Sequence, residues 1–87
     1  MGSYEIVWKN SAEKDLRSIS RQQIPRIIRA IELLYSNPFP PQSRKLKGSD
    51  RDYRIRIGNY RILYRVDTKT KIIIIYHIRH RREAYQK

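Results

Sequence analysis

No cysteine occurs among the 87 residues, so neither a disulfide framework nor a thiolate metal site is available and packing alone must hold the fold. Acidic side chains are scarce: 8 Asp and Glu stand against 20 Lys and Arg, a formal charge of +12. Long apolar runs are missing as well. The longest, IIIIY at 72–76, falls far short of the ~20 residues that span a bilayer, and the N-terminus carries no charged-then-apolar signal pattern. There is no internal repeat, low-complexity tract, Gly-rich phosphate loop, set of paired carboxylates or Ser/His/Asp constellation. These absences predict a soluble, cytoplasmic protein forming one small domain over residues 1–87.

What is present is basic and periodic. Residues 44–82 hold 13 basic and 3 acidic side chains, whereas residues 1–43 hold 6 and 4. The positive field therefore belongs to the C-terminal half. A field of that kind calls for a polyanionic partner, nucleic acid before an acidic protein or an anionic membrane surface. Hydrophobic residues make up 39% of the chain and recur at regular spacings, which is the pattern of a folded core.

YEIVW, residues 4–8, is β-branched and aromatic and reads as a strand. Asn10 with Glu13 has capping-box spacing, and Ala12, Leu16 and Ile19 follow at helical intervals. A second helix start is Ser20-x-x-Gln23, with Pro25 tolerable in the first turn, where a missing N–H matters least. Ile24, Ile27, Ile28, Ile31, Leu34 and Tyr35 then form an apolar stripe that predicts a helix ending near Tyr35 or Ser36. SNPFPPQSRKLKGSD, 36–50, reads as a Pro-rich loop pinned by Leu46. Residues 51–57 and 60–66 form a hairpin, DTKT is the next turn, and IIIIYHI, 72–78, has the two-sided apolarity of a central strand. The order β-α-α-β-β-β predicts an α+β domain: one antiparallel sheet, two N-terminal helices on one face, and a short C-terminal helix or tail.

The hairpin YRIRIGNYRILYR raises the functional question. Closed on a two-residue loop at Gly58-Asn59, it sets Ile57 against Tyr60 and Arg56 against Arg61. Like charges in that position disfavour the sheet by about 0.2–1 kcal/mol. One face then carries Arg54, Arg56, Arg61 and Leu63; a slip of one residue would drive Arg61 into the helix-covered side. The adjoining strand brings His77 and Arg79 on one face, and alignment with the hairpin arginines depends on one residue in the DTKT loop. Aligned, they form a patch matched to phosphate, because guanidinium presents a planar fork of donors and keeps its charge. Tyr85 either stacks on a base or folds back over the sheet edge. His77 and His80 lack the third ligand of a metal site; each is either a general base or a surface histidine without a task.

The sequence of a strand, two helices, KLKG, YRIRIGNYRILYRVD and an apolar strand closed by IRHRREAY resembles the RelE branch of the RelE/ParE toxin superfamily, from Tyr4 to Tyr85. The resemblance implies the toxin of a toxin–antitoxin pair. Its activity would be that of a metal-independent, cofactor-free endoribonuclease that cuts messenger RNA in the ribosomal A site, through attack of the messenger's 2′-hydroxyl on the adjacent phosphate. It maps the catalytic set to Arg54, Arg56, Arg61, Arg79, His80 and Tyr85. Arg44, Lys45, Lys47, Arg65, His77, Arg81 and Arg82 fall to RNA and ribosome binding. The implied partners are a cognate RelB-like antitoxin, the ribosome and mRNA, with no membrane. The chain departs from the family pattern in carrying Arg54 and Arg56 where studied members have lysines, one of them a proposed general base. Arginine cannot accept that proton, so either charge stabilisation carries most of the rate or His80 or His77 takes the role. Two other readings stay open: a ParE-like inhibitor of DNA gyrase without nuclease activity, and a non-catalytic basic RNA-binding module.

Overall fold

Residues 3–80 are described by the computed structural model. Strand β1 (Glu5–Trp8) is followed by helices α1 (Asn10–Arg17) and α2 (Ile24–Leu33), then by strands β2 (Ser43–Lys45), β3 (Asp52–Ile57), β4 (Tyr60–Asp67) and β5 (Ile72–His80). The isoleucine stripe of α2 does face a core: Ile27, Ile31 and Leu34 are buried, and Pro25 sits in the first turn. Tyr35 lies beyond the C-cap at Leu34 and is exposed. Asn10 does not cap α1. Lys9 is the N-cap, without a side-chain bond, because its N–H still bonds Ile75 O at 3.0 Å and holds it in the extended conformation of the preceding strand. Strand pairing, not a side chain, decides where α1 starts.

The five strands lie in the order β1-β5-β4-β3-β2. The order of elements and the two-layer α+β class are those expected, but the sheet is mixed: β1 runs parallel to β5, while the other three pairings are antiparallel. A parallel neighbour needs a crossover, and here the rest of the chain supplies it. The basic segment read as loop contributes the short edge strand β2, whose Arg44 pairs with Arg54 of β3. On one face Ile55, Ile62, Tyr64, Val66, Ile73, Ile75 and Ile78 pack with Ala12 and Ile19 and with the α2 stripe. Ile72 and Ile74, on the other face of β5, are only half-buried, so that strand is sealed on one side rather than two.

β1 covers β5 only as far as Ile75, and α1 takes over from there. Ser11 Oγ donates to the Tyr76 carbonyl at 2.7 Å, and the Ile78 N–H donates to Asp15 Oδ2 at 3.0 Å. Two side chains one helical turn apart thus satisfy edge groups that would otherwise invite pairing with another chain. At the far side of the core, burial pushes the Tyr64 phenol up to about 12. Kept protonated, it donates to the Pro38 carbonyl at 2.8 Å and fastens the Pro-rich loop to the sheet.

Tyr64→Phe would leave that buried carbonyl without its donor and is expected to lower stability by about 1–3 kcal/mol, read as a reduced urea midpoint at unchanged slope. A second expectation concerns Asp52, which accepts from Arg65 Nε at 2.8 Å and Nη2 at 3.3 Å and from Ser49 Oγ at 2.9 Å. The Arg65 bond first, and Ser49 in addition, hold this carboxyl below its usual value against the opposing effect of burial. A depressed folded-state value stabilises the fold above the unfolded carboxylate range of about 3.9 and is lost as pH falls through the folded value. Asp52→Asn should therefore melt below the parent at pH 7, with the two curves converging in acid; a constant gap down to pH 2 would contradict the assignment.

Candidate functional site

The hairpin joining β3 and β4 closes as its sequence dictates. Gly58 takes φ +59°, the left-handed value a type II′ turn requires at its first central position, and Asn59 has no such value among the described residues. The register follows: Ile57 pairs with Tyr60, Arg56 with Arg61, Ile55 with Ile62 and Arg54 with Leu63. A side chain at Gly58 would also meet the Arg26 guanidinium of α2 at 3.0 Å. The Arg26 side chain can give way there, so it is the positive φ of the turn that selects glycine.

Pairing of β4 with β5 contains one irregularity that decides the site. From Asp67 opposite Ile72 the ladder runs regularly to Tyr64 opposite Ile75, then resumes with Leu63 opposite His77, which leaves Tyr76 as an extra residue. A bulge of this kind reverses which alternate side chains face which way. Before it Ile73 and Ile75 enter the core; after it Ile78 does. His77 and Arg79 are consequently delivered to the face that carries the hairpin arginines. Without the extra residue, Arg79 would point into the helix-covered layer.

Two rows result. Arg56, Arg61 and Arg79 stand side by side across three strands, spanning about 10 Å at the usual strand spacing. One step along, about 7 Å away, Arg44, Arg54, Leu63 and His77 form a second row across four strands. Arg79 Nη2 lies 3.3 Å from His77 Nδ1, and Asp15 Oδ2 of α1 lies 3.1 Å from the same nitrogen. Beside the second row is a cleft of about 320 Å³ lined by Leu46, Asp52, Leu63, Tyr64, Arg65, Tyr76 and His77. Arg65 is bound to Asp52 and lies over the Tyr76 ring, 5.5 Å from its centroid. Its guanidinium is thus engaged within the sheet face, at the wall of the cleft.

The residues expected to act together divide. Arg44, Arg54, Arg56, Arg61, Arg79 and His77 share one face, with Arg65 at its border. His80 does not join them: it pairs with Tyr60 on the helix-covered side and meets that ring edge-on at 5.1 Å. There it lines a separate recess of about 260 Å³ with Ser20, Gln23, Arg26, Gly58, Asn59 and Tyr60. The bulge is the physical reason, since it turns odd-numbered positions toward the arginines. Lys45, opposite Tyr53, also turns away from that face, and Lys47 stands in the turn after β2. Arg81, Arg82 and Tyr85 lie outside the described residues. Asp15, absent from the expected site, is brought into it by α1. Its spacing of four from Ser11, flanking the Ala12–Leu16 stripe, was the available signal of a polar helix side turned toward the sheet edge.

Among known proteins, a family model described as the ParE toxin of the type II toxin-antitoxin system, parDE, matches residues 6–85. A relative from Methanocaldococcus jannaschii, named "Putative toxin RelE1", is 40% identical over 76 residues, covering 84% of each chain. The toxin–antitoxin fold is shared with the archaeal RelE-RelB complex from Pyrococcus horikoshii, at TM-score 0.81, 28% identity and coverage of 91% of this chain and 96% of that one. The RelB-RelE complex from Methanococcus jannaschii gives TM-score 0.74 at 30% identity, over 91% and 94% of the two chains. Isolated Escherichia coli RelE shares the fold at TM-score 0.78 and 18% identity, over 90% and 84%. With the family model spanning nearly the whole chain and the arginine rows standing on the matched strands, this protein belongs to the RelE/ParE family of type II toxin–antitoxin toxins.

Proposed function

We propose that this toxin is a ribosome-dependent endoribonuclease that cleaves messenger RNA in the ribosomal A site and so inhibits translation in the cytoplasm. The observation that carries the reading is the row of Arg56, Arg61 and Arg79 across three adjacent strands. Three arginines paired across adjacent strands concentrate positive charge and planar donors on one face, which suits an anion lying across them. A phosphodiester fits that requirement, and its phosphorane-like transition state, richer in negative charge, fits it better than the ground state. Arg54 and Arg44 extend the same field along the path of an RNA backbone, while Tyr85, Arg81 and Arg82 are assigned to base stacking and ribosome contact.

The partner proposed for this chain is a RelB-like antitoxin, as in the RelE-RelB complexes to which it is similar. An acidic antitoxin segment would suppress the toxin by covering the charges that grip RNA. One observation favours a second reading: the matching family model is described by ParE, which points to poisoning of DNA gyrase.

Programmed ribosomes incubated with the protein separate these. A-site cuts ending in 2′,3′-cyclic phosphate support the nuclease; intact messenger together with trapped gyrase–DNA complexes replaces it with the ParE reading, and RNA binding without either product leaves a binding module. Within the nuclease reading, Arg61→Ala is expected to lose cleavage by roughly 10²–10³-fold, the scale of one charge-stabilising donor, with thermal unfolding close to that of the parent. Full activity in that variant would move the phosphate site elsewhere.

A further inference from the structure

An arginine-lined phosphate site supplies charge but no group able to take a proton from the attacking 2′-hydroxyl. From the geometry at the junction of α1 and β5, we infer that Asp15 and His77 form a dyad in which His77 is the general base and Asp15 its positioning residue. This inference rests on the nuclease reading above and assigns a role in it that the arginines cannot fill.

Asp15 Oδ2 accepts the Ile78 backbone N–H at 3.0 Å and lies 3.1 Å from His77 Nδ1. An ionised carboxylate can only accept, so the proton of the neutral imidazole resides on Nδ1. That leaves the Nε2 lone pair as the basic site. Arg79 Nη2, 3.3 Å from Nδ1, is likewise a donor and so acts as a neighbouring cation rather than a hydrogen-bond partner of that nitrogen. The backbone bond from Ile78 fixes the carboxylate, and the carboxylate fixes the ring. The same logic of a buried or half-buried carboxylate holding an imidazole in one tautomer operates in hydrolytic triads. Here the side chains are 34% and 23% exposed for His77 and Asp15, and His77 also borders the 320 Å³ cleft. Substrate therefore has a route to the ring.

Asp15 from α1 and Arg79 on β5 contact the His77 ring; Tyr76, Arg65 and Asp52 line the same cleft, and Arg54 and Arg44 stand in the same row. His77 stands one row, about 7 Å, from the Arg56–Arg61–Arg79 row. The Arg79 guanidinium itself approaches the His77 ring at 3.3 Å, so a phosphate gripped by Arg79 would lie next to the imidazole and bring the ribose on its 5′ side within reach. In the step, the 2′-hydroxyl proton passes to Nε2 and the O2′–P bond forms. The P–O5′ bond breaks, and O5′ leaves with a proton from water. The products are a 2′,3′-cyclic phosphate and a 5′-hydroxyl, and the imidazolium returns its proton to solvent. Asp15 stabilises that transient imidazolium.

The test is single-turnover cleavage on programmed ribosomes at saturating toxin, with thermal unfolding of each variant. His77→Ala should lose about 10²–10⁴-fold in the cleavage step, with activity partly restored by added imidazole. His77→Gln, closer in size, should show the same loss without imidazole rescue. Asp15→Asn keeps an acceptor for Ile78 and should lose at least ~10-fold. Nitrogen-15 spectra of the free toxin should show His77 protonated on Nδ1. A wild-type protein that cuts messenger alongside a His77→Ala variant that cuts equally fast overturns the dyad alone, as does an Nε2-protonated His77 in the wild type. A folded wild-type protein that leaves messenger intact overturns both the dyad and the nuclease reading.

Discussion

Strict alternation of side chains along a strand is the constraint on which this molecule turns. Whatever enters the helix-covered core sends its neighbours to the opposite face, and a one-residue error exchanges the two sets entirely. β3 and β4 obey the rule without interruption, so isoleucines and tyrosines go in and arginines come out. β5 begins in phase with Ile73 and Ile75 buried, then must bury Ile78 as well, which alternation forbids. Tyr76 absorbs the difference as a bulge. The hydrophobic demand of Ile78 and the exposure of Arg79 are the two sides of that single adjustment.

The same adjustment creates an edge problem and its solution. β1 stops pairing at Ile75, next to the bulge, leaving the carbonyl of Tyr76 and the amide of Ile78 open. α1 answers with Ser11 and Asp15. A carboxylate recruited to quiet a sheet edge is thereby set against His77, on a face otherwise dominated by guanidinium groups. Edge protection and site chemistry share one oxygen atom, so neither is free to change without the other.

The basic face is kept apart from the forces that hold the fold. All of the fully buried large side chains are apolar or, in Tyr64, hydrogen-bonded, and among the described residues no buried side-chain polar atom lacks a partner. The core thus tolerates an arginine pair at Arg56 and Arg61, because the burial of Ile55 and Ile62 on the opposite face holds these strands together. Asp52, paired with Arg65, neutralises the border of the arginine field rather than its centre.

Much of this was legible in the chain. Gly58-Asn59 between alternating runs set the hairpin register, because only that register keeps Arg56 and Arg61 out of the core; the α2 stripe and the place of Pro25 followed from helical spacing. The strand at 43–45 was not, since three polar residues after prolines carry no alternation to read and acquire strand form only by pairing with β3. Nor was the parallel placement of β1, which depends on how the finished sheet packs. By itself the sequence determined a half-apolar sheet, two helices to cover it and a surplus of arginine on its open face, all of them consequences of local spacing and charge. Only the tertiary structure decided that β5 bulges at Tyr76, that His77 joins the arginines while His80 does not, and that Asp15 reaches them from sixty-two positions away. Those choices arise where strand pairing, core burial and edge satisfaction compete for the same few residues, and no local pattern records the outcome.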